Sequence, residues 1–167
     1  KTLEYIKSKS VIIEIFGLGY VGFPLAVKLS SSGFNVIGID INSKRIQRLQ
    51  ENDLMDSEIS LKEKFVRAKK QSKLKLSKSS EESKFPKIGI ICVPTPIPES
   101  NIKSDIYVKK AVENFLEFAK KGDVIILESS VEVGTTERIQ KIIESKKFII
   151  KEDFGLCFCP ERIDPSN

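Results

Sequence analysis

Val11-Ile12-Ile13-Glu14-Ile15-Phe16-Gly17-Leu18-Gly19-Tyr20-Val21-Gly22 decides how this chain folds. An apolar run broken only by Glu14 enters three glycines spaced G-x-G-x-x-G, and a helical run, Pro24 to Ser30, leaves them. A second apolar run (Val36, Ile37, Ile39) ends in an acid, Asp40, eighteen positions beyond Gly22. Strand, glycine turn, helix, strand, acid is the order that a dinucleotide-binding βαβ unit requires.

Each residue type has a physical job there. Gly17 permits the tight turn out of the strand, Gly19 presents bare backbone to a pyrophosphate, and Gly22 lets the helix pack closely on the sheet. The pyrophosphate then meets a helix N-terminus, where free N–H groups and the macrodipole favour anions. Leu18, Tyr20 and Val21 fill the turn, so the whole stretch from Gly17 to Gly22 is expected at the cofactor. Asp40 can accept hydrogen bonds from both hydroxyls of a ribose and repels a 2′-phosphate, which favours NAD over NADP. Arg45 and Lys44 keep a smaller NADP reading open.

Outward from this unit the pattern continues. Strands are expected at Val11 to Phe16, Asn35 to Asp40, Lys73 to Ser77, Lys87 to Val93, Asp123 to Leu127 and Gly155 to Cys159. Helices are expected at Tyr20 to Ser32, Ser43 to Asn52 (Ser43 as N-cap), Leu61 to Lys70, Asp105 to Lys121 and Thr135 to Ser145. Lys1 to Ser10 reads as a loose arm or short helix, ahead of one domain spanning 11–167. Lys78 to Lys84 reads as a crossover turn or short helix, and Thr95 to Ser104 as a proline-containing loop. Strands alternating with helices give an α/β fold, a doubly wound parallel sheet of about six strands. Right-handed crossovers set the strand order at 3-2-1-4-5-6, with ligands at the carboxyl ends of the strands.

Composition excludes several chemistries. The chain has 167 residues, enough for one α/β domain, and no histidine, so His-based triads and His-ligated metal sites are absent from it. Its net charge of +5 is lysine spread along solvated helix faces, without aromatic interleaving or a groove-reading motif, which argues against nucleic acid. No apolar run is long enough to cross a membrane. Three cysteines, an odd number, argue against a disulfide framework and for a reducing cytoplasm. Cys157 and Cys159 alternate about Phe158 and read as core thiols rather than metal ligands.

Four strand ends converge on the expected crevice. The first carries the glycine turn and the fourth Val93-Pro94-Thr95-Pro96. The fifth carries Glu128-Ser129-Ser130 and the sixth Pro160-Glu161-Arg162. Thr95, stiffened by two prolines, either bonds a ribose or phosphate or simply makes a rigid turn. One of Ser129 and Ser130 either holds a water or the nicotinamide ribose, or serves turn and cap chemistry, a role that suits Thr135 better than Ser130. Glu161 can move a proton at a reacting alcohol and Arg162 can fork onto a phosphate; a surface ion pair is the alternative.

Taken together, Gly17-Leu18-Gly19-Tyr20-Val21-Gly22, Val93-Pro94-Thr95-Pro96, Glu128-Ser129-Ser130 with Gly134-Thr135-Thr136, and Pro160-Glu161-Arg162-Ile163-Asp164-Pro165 closely resemble the N-terminal domain of the UDP-sugar 6-dehydrogenases. The resemblance runs from Val11 to Asn167. It implies an enzyme, with a place in polysaccharide biosynthesis, that oxidises C6 of a UDP-hexose to a carboxylate with two NAD. The Val-Pro-Thr-Pro and Glu-Ser-Ser forms look more like the UDP-N-acetylhexosamine branch than the UDP-glucose branch.

By the same resemblance, Val21, Asp40, Ile41, Arg45, Val93, Pro94 and Thr95 would lie at NAD. Ser130, where the family usually has threonine, would touch NAD and help hold the catalytic water. Glu161 would assist water activation or thioester hydrolysis, and Arg162 would lie near the sugar nucleotide. The family's nucleophilic cysteine and catalytic lysine come from later segments that Cys92, Cys157 and Cys159 do not match. The chain therefore looks like the cofactor half of a larger, homo-oligomeric enzyme, inactive by itself. A non-catalytic NAD-binding or assembly module is the reading from another class.

Overall fold

The computed structural model describes residues 2–95 and 105–160. A short helix α1 (Thr2–Lys7) precedes β1 (Ile12–Phe16), α2 (Gly22–Ser31), β2 (Asn35–Ile39), α3 (Ser43–Gln50), α4 (Lys62–Lys70) and β3 (Leu74–Ser77). The second half runs β4 (Lys87–Ile91), α5 (Ile106–Leu116), β5 (Val124–Leu127), α6 (Thr135–Ser145) and β6 (Gly155–Phe158). The six strands form one sheet in the order β3-β2-β1-β4-β5-β6, every neighbouring pair parallel. This is the expected doubly wound sheet, with its direction of travel reversing between β1 and β4.

Side-chain alternation divides the sheet into two cores. Ile13 and Ile15 of β1 share a face with Val36, Ile88 and Ile90, and Phe23, Ala26, Val27, Phe65 and Ala68 of α2 and α4 cover it. Phe16 shares the other face with Ile39, Ile91, Ile125 and Leu127, under Val108, Val112 and Phe115 of α5 and Ile139 and Ile143 of α6. Both faces are covered, as a parallel sheet demands.

Several element ends differ from expectation. α3 is capped by Asn42, not Ser43: its Oδ1 accepts the N–H groups of Lys44 and Arg45, so Ser43 is already helical. Gly134, at φ 86°, is the N-cap of α6, and buried Thr135 is its first turn. α5 ends at Leu116, short of Lys121. Residues 78–84 form bends rather than a helix. The acidic link after Asp53 contains a 3₁₀ turn, Asp56–Leu61. Cys157, Phe158 and Cys159 are exposed rather than core, because β6 is the outer strand and no described element lies against its last residues. Among the described residues no helix is long and apolar enough to cross a membrane.

The polar break in β1 has a partner that the sequence did not advertise. Glu14 and Lys87 lie diagonally on adjacent strands, on the same face, both fully buried. Lys87 Nζ stands 3.3 Å from Glu14 Oε1 and 4.7 Å above the Phe115 ring, and donates to Ser80 Oγ at 2.8 Å. Ser80 in turn donates to Glu14 Oε2 at 2.7 Å, and Asn114 of α5 accepts the Ser80 N–H. The residues after β3 thus fold inward to satisfy an ion pair that would be costly if left incomplete. Burial still pushes the Glu14 carboxyl above its ordinary range, against the pull of Lys87, Ser80 and the Glu81 N–H.

A raised native pKa means that the stability linked to Glu14 is fully present below its unfolded pKa. That stability is lost as pH rises through the native value. Lys87→Met leaves the carboxylate without its cation, so the variant is expected to lose about 3–5 kcal/mol near pH 7. The loss should shrink in acid, where Glu14 takes up a proton. Urea denaturation at the two pH values measures both, and a loss independent of pH would contradict this account.

Candidate dinucleotide site

The three glycines of the first turn are spaced by contacts that can be read one by one. Gly17 sits at φ 91°, and a Cβ there would lie 2.7 Å from the Cys92 carbonyl oxygen. At Gly22 a Cβ would lie 1.9 Å from the Gly17 carbonyl oxygen, so only glycine lets α2 rest on the turn. At Gly19 the same added atom would meet nothing within 4 Å. The first and third glycines are therefore required by protein packing, whereas the middle one faces open space. Bare backbone aimed at emptiness is what the approach of a pyrophosphate calls for. No side chain caps the N-terminus of α2, which leaves that end available to an anion.

Asp40, at the carboxyl end of β2, is tied to this turn. Its Oδ2 accepts the Leu18 N–H at 2.9 Å and its Oδ1 accepts the Asn42 N–H at 2.8 Å. The carboxylate is thereby held in one orientation, half-buried, beside the glycine turn. A carboxylate oxygen has two acceptor positions, so each can still receive a ribose hydroxyl. Ile41, which follows Asp40, is 77 % exposed, and Tyr20, within the glycine turn, is 60 % exposed. Val21 is half-buried.

Arg45 is engaged by the protein itself. Its Nε donates to the Leu18 carbonyl at 2.9 Å, its two terminal nitrogens pair with both oxygens of Glu58, and its guanidinium lies 5.2 Å from the Phe23 ring centre. Glu58 belongs to the 3₁₀ turn, where it also accepts the Met55 N–H at 3.0 Å. Reading the sequence placed Arg45 at the cofactor but gave no weight to Glu58. The acid thirteen residues on, at the head of α4, was the available signal.

Hydrogen bonds stitch the strand ends together. Gly17 N–H donates to the Ile39 carbonyl, and Cys92 N–H to the Phe16 carbonyl, both at 2.8 Å. The Glu128 and Ser129 N–H groups converge on the Ile91 carbonyl at 3.0 Å, and Ser129 Oγ donates to the Val93 carbonyl at 2.7 Å. Of the two serines, Ser129 is buried in this clamp and Ser130 is exposed. Val93 and Thr95 are half-buried, and Pro94 is exposed. The first, second, fourth and fifth strand ends are thus brought to one edge of the sheet. Glu161 and Arg162 lie outside the described residues, as does Pro96; Pro160, exposed, leads toward them. Among the described residues no His, Cys, Asp or Glu cluster could hold a metal ion.

Known proteins resemble this chain in sequence and in fold. The family model described as the NAD binding domain of the UDP-glucose/GDP-mannose dehydrogenase family matches residues 11–167. The UDP-N-acetyl-D-mannosamine dehydrogenase of Methanocaldococcus jannaschii is 36% identical over 158 residues, covering 93% of this chain and 35% of the relative. The UDP-N-acetyl-D-glucosamine 6-dehydrogenase of Pseudomonas aeruginosa is 34% identical over 161 residues, covering 95% of this chain and 37% of that protein. The solved UDP-N-acetyl-mannosamine dehydrogenase of Staphylococcus aureus superposes with a TM-score of 0.83 at 34% identity, covering 92% of this chain and 37% of that one. The chain spans about a third of the length of these relatives.

The glycine geometry separates two effects that are usually mixed. Gly19→Ala is expected to leave stability within about 1 kcal/mol of the parent, because the methyl enters open space. It should nonetheless weaken NAD binding about tenfold or more by displacing the pyrophosphate from its backbone donors. Gly22→Ala should instead destabilise the fold by about 1–3 kcal/mol or more through overpacking. Denaturant titration and calorimetric NAD titration of both variants check the contrast.

Proposed function

The chain belongs to the UDP-glucose/GDP-mannose dehydrogenase family as its NAD-binding domain, and on that premise we propose that it serves a UDP-N-acetylhexosamine 6-dehydrogenase. Such an enzyme oxidises the C6 alcohol of the sugar to a carboxylate with two NAD. The observation that carries the cofactor half of this reading is the open backbone at Gly19 with the Asp40 carboxylate fixed beside it. The choice of sugar class leans on relatives whose names specify UDP-N-acetylmannosamine and UDP-N-acetylglucosamine. A UDP-glucose enzyme is the nearer alternative.

In this reading residues 11–167 are the dinucleotide domain, preceded by an arm at 1–10. NAD, when bound, supplies the hydride acceptor. Gly17 to Gly22 and the N-terminus of α2 receive its pyrophosphate, and Asp40 receives the adenosine ribose, with Ile41 alongside. Val93, Pro94, Thr95 and Ser130 border the nicotinamide half. Ser129 supports that border by holding the Val93 carbonyl, which leaves the Ser130 hydroxyl to orient a water. Glu161 assists proton movement at that water, and Arg162 faces the sugar nucleotide. The enzyme works in the cytoplasm, in polysaccharide biosynthesis, without nucleic-acid or membrane partners. It assembles as a homo-oligomer, a reading favoured by the exposed Phe158 on the outer strand β6.

Two measurements test this. Calorimetric titration of the chain should give NAD an affinity about tenfold or more above that of NADP, because the Asp40 carboxylate repels a 2′-phosphate. Equal affinities would contradict the reading. In the enzyme that carries this domain, NADH formation should be fastest with a UDP-N-acetylhexosamine and reach two NADH per sugar. There Glu161→Gln should slow release of the acid by about 10²–10⁴-fold.

A further inference from the structure

The same site holds a cation, Arg45, close to the Asp40 carboxylate. Arg45 and Asp40 grip one residue from opposite ends: the guanidinium holds the Leu18 carbonyl, the carboxylate holds the Leu18 N–H, each at 2.9 Å. One residue spans at most about 3.6 Å, so the two groups lie within about 10 Å of each other. That is close to the screening length of physiological salt, about 8 Å. A phosphate on the ribose held by Asp40 would therefore feel Arg45, were its charge uncompensated.

It is compensated. Both terminal nitrogens of Arg45 are paired with the two oxygens of Glu58, and the side chains of the pair are 11% and 3% exposed. Phe23 closes one side of the guanidinium. Glu58 is itself pinned by the Met55 N–H within its 3₁₀ turn, so it cannot swing away without breaking that turn. Lys44, the other cation near Asp40 in sequence, is exposed, and its N–H is used in capping α3.

We propose that Glu58 is a specificity-determining residue of the cofactor site: by cancelling the charge of Arg45 beside the glycine turn, it denies NADP the cation that would otherwise receive its 2′-phosphate. Discrimination against the phosphorylated cofactor is then shared. Asp40 repels the phosphate directly, and Glu58 removes the attraction that would offset this repulsion. Arg45 keeps its second duty, holding the Leu18 carbonyl and hence the shape of the turn.

The inference rests on the dinucleotide reading given above, and the test separates the two. The chain and its Glu58→Gln, Glu58→Gln/Arg45→Met and Asp40→Asn variants are titrated calorimetrically with NAD and with NADP. Glu58→Gln should narrow the ratio of NADP to NAD dissociation constants about tenfold, the worth of one charge-assisted hydrogen bond. Adding Arg45→Met should restore the parental ratio, because the cation that attracts the phosphate is then gone. A purely structural Glu58 would weaken both cofactors alike and leave the ratio unmoved, which overturns the proposal.

Asp40→Asn gives an independent reading should Glu58→Gln not fold. With Glu58 in place, the Asp40→Asn variant should still bind NADP more weakly than NAD. NADP binding as tight as NAD in that variant would mean that Arg45 is already free to act, and the proposal fails. A chain that binds neither dinucleotide overturns both this inference and the reading beneath it. NAD binding with an unmoved ratio overturns this inference alone.

Discussion

The helix after β1 can seat itself on the preceding turn only because Gly22 has no side chain. A single methyl carbon there would lie 1.9 Å from the Gly17 carbonyl oxygen. From this contact the rest of the site follows. The close seating directs the uncapped start of α2 toward the carboxyl edge of the sheet and leaves Gly19 bare above it. Gly17 takes the left-handed bend that joins strand to helix, against the Cys92 carbonyl of the neighbouring strand. The switch point between β1 and β4 is thereby the topological centre of the fold, the place where open sheets of this kind take their ligands.

Charge is arranged around that opening with little left over. Asp40 spends one bond from each oxygen on the backbone of the turn and of the α3 entry. Arg45 is consumed by Leu18 and Glu58. What the site presents outward is thus a row of backbone donors with one oriented carboxylate, a pattern matched to a diphosphate joined to an unmodified ribose. Orientation fixed before binding spares the entropy of fixing it later.

A second set of charges lies on the opposite face and serves the fold. Glu14 and Lys87 are buried between β1, β4 and α5, completed by Ser80 and the backbone of Glu81. An ion pair of this kind adds little to stability compared with well-packed apolar groups, but it penalises any register in which the partners miss each other. Near the start of α5, burial works to raise the Asp105 carboxyl, yet the hydrogen bond from Arg138 and the adjacent Lys109 ammonium outweigh it and hold it below its usual range. That contact joins the first turns of α5 and α6.

The glycine spacing, the acid at Asp40 and the alternation of strands with helices were legible because each depends on local sterics or on a period of two or 3.6 residues. Those signals determined the parallel sheet, its strand order and the edge to which the glycine turn is brought. Other features required the tertiary structure. Nothing in the sequence around Glu14 pointed to Lys87, seventy-three residues away, or to Ser80 in a stretch read as a bland crossover. Cys157 and Cys159 alternate like core residues, but burial depends on what lies against a strand, and β6 is the outermost. Glu58 read only as part of an acidic link, and Ser129 as one of two serines open to a ligand or to a turn, until the chain placed one on Arg45 and the other on Val93. Local rules thus gave the scaffold and its ligand, whereas the pairing of charges across distant segments was decided by folding, since Coulomb and hydrogen-bond partners are chosen by proximity in space and not along the chain.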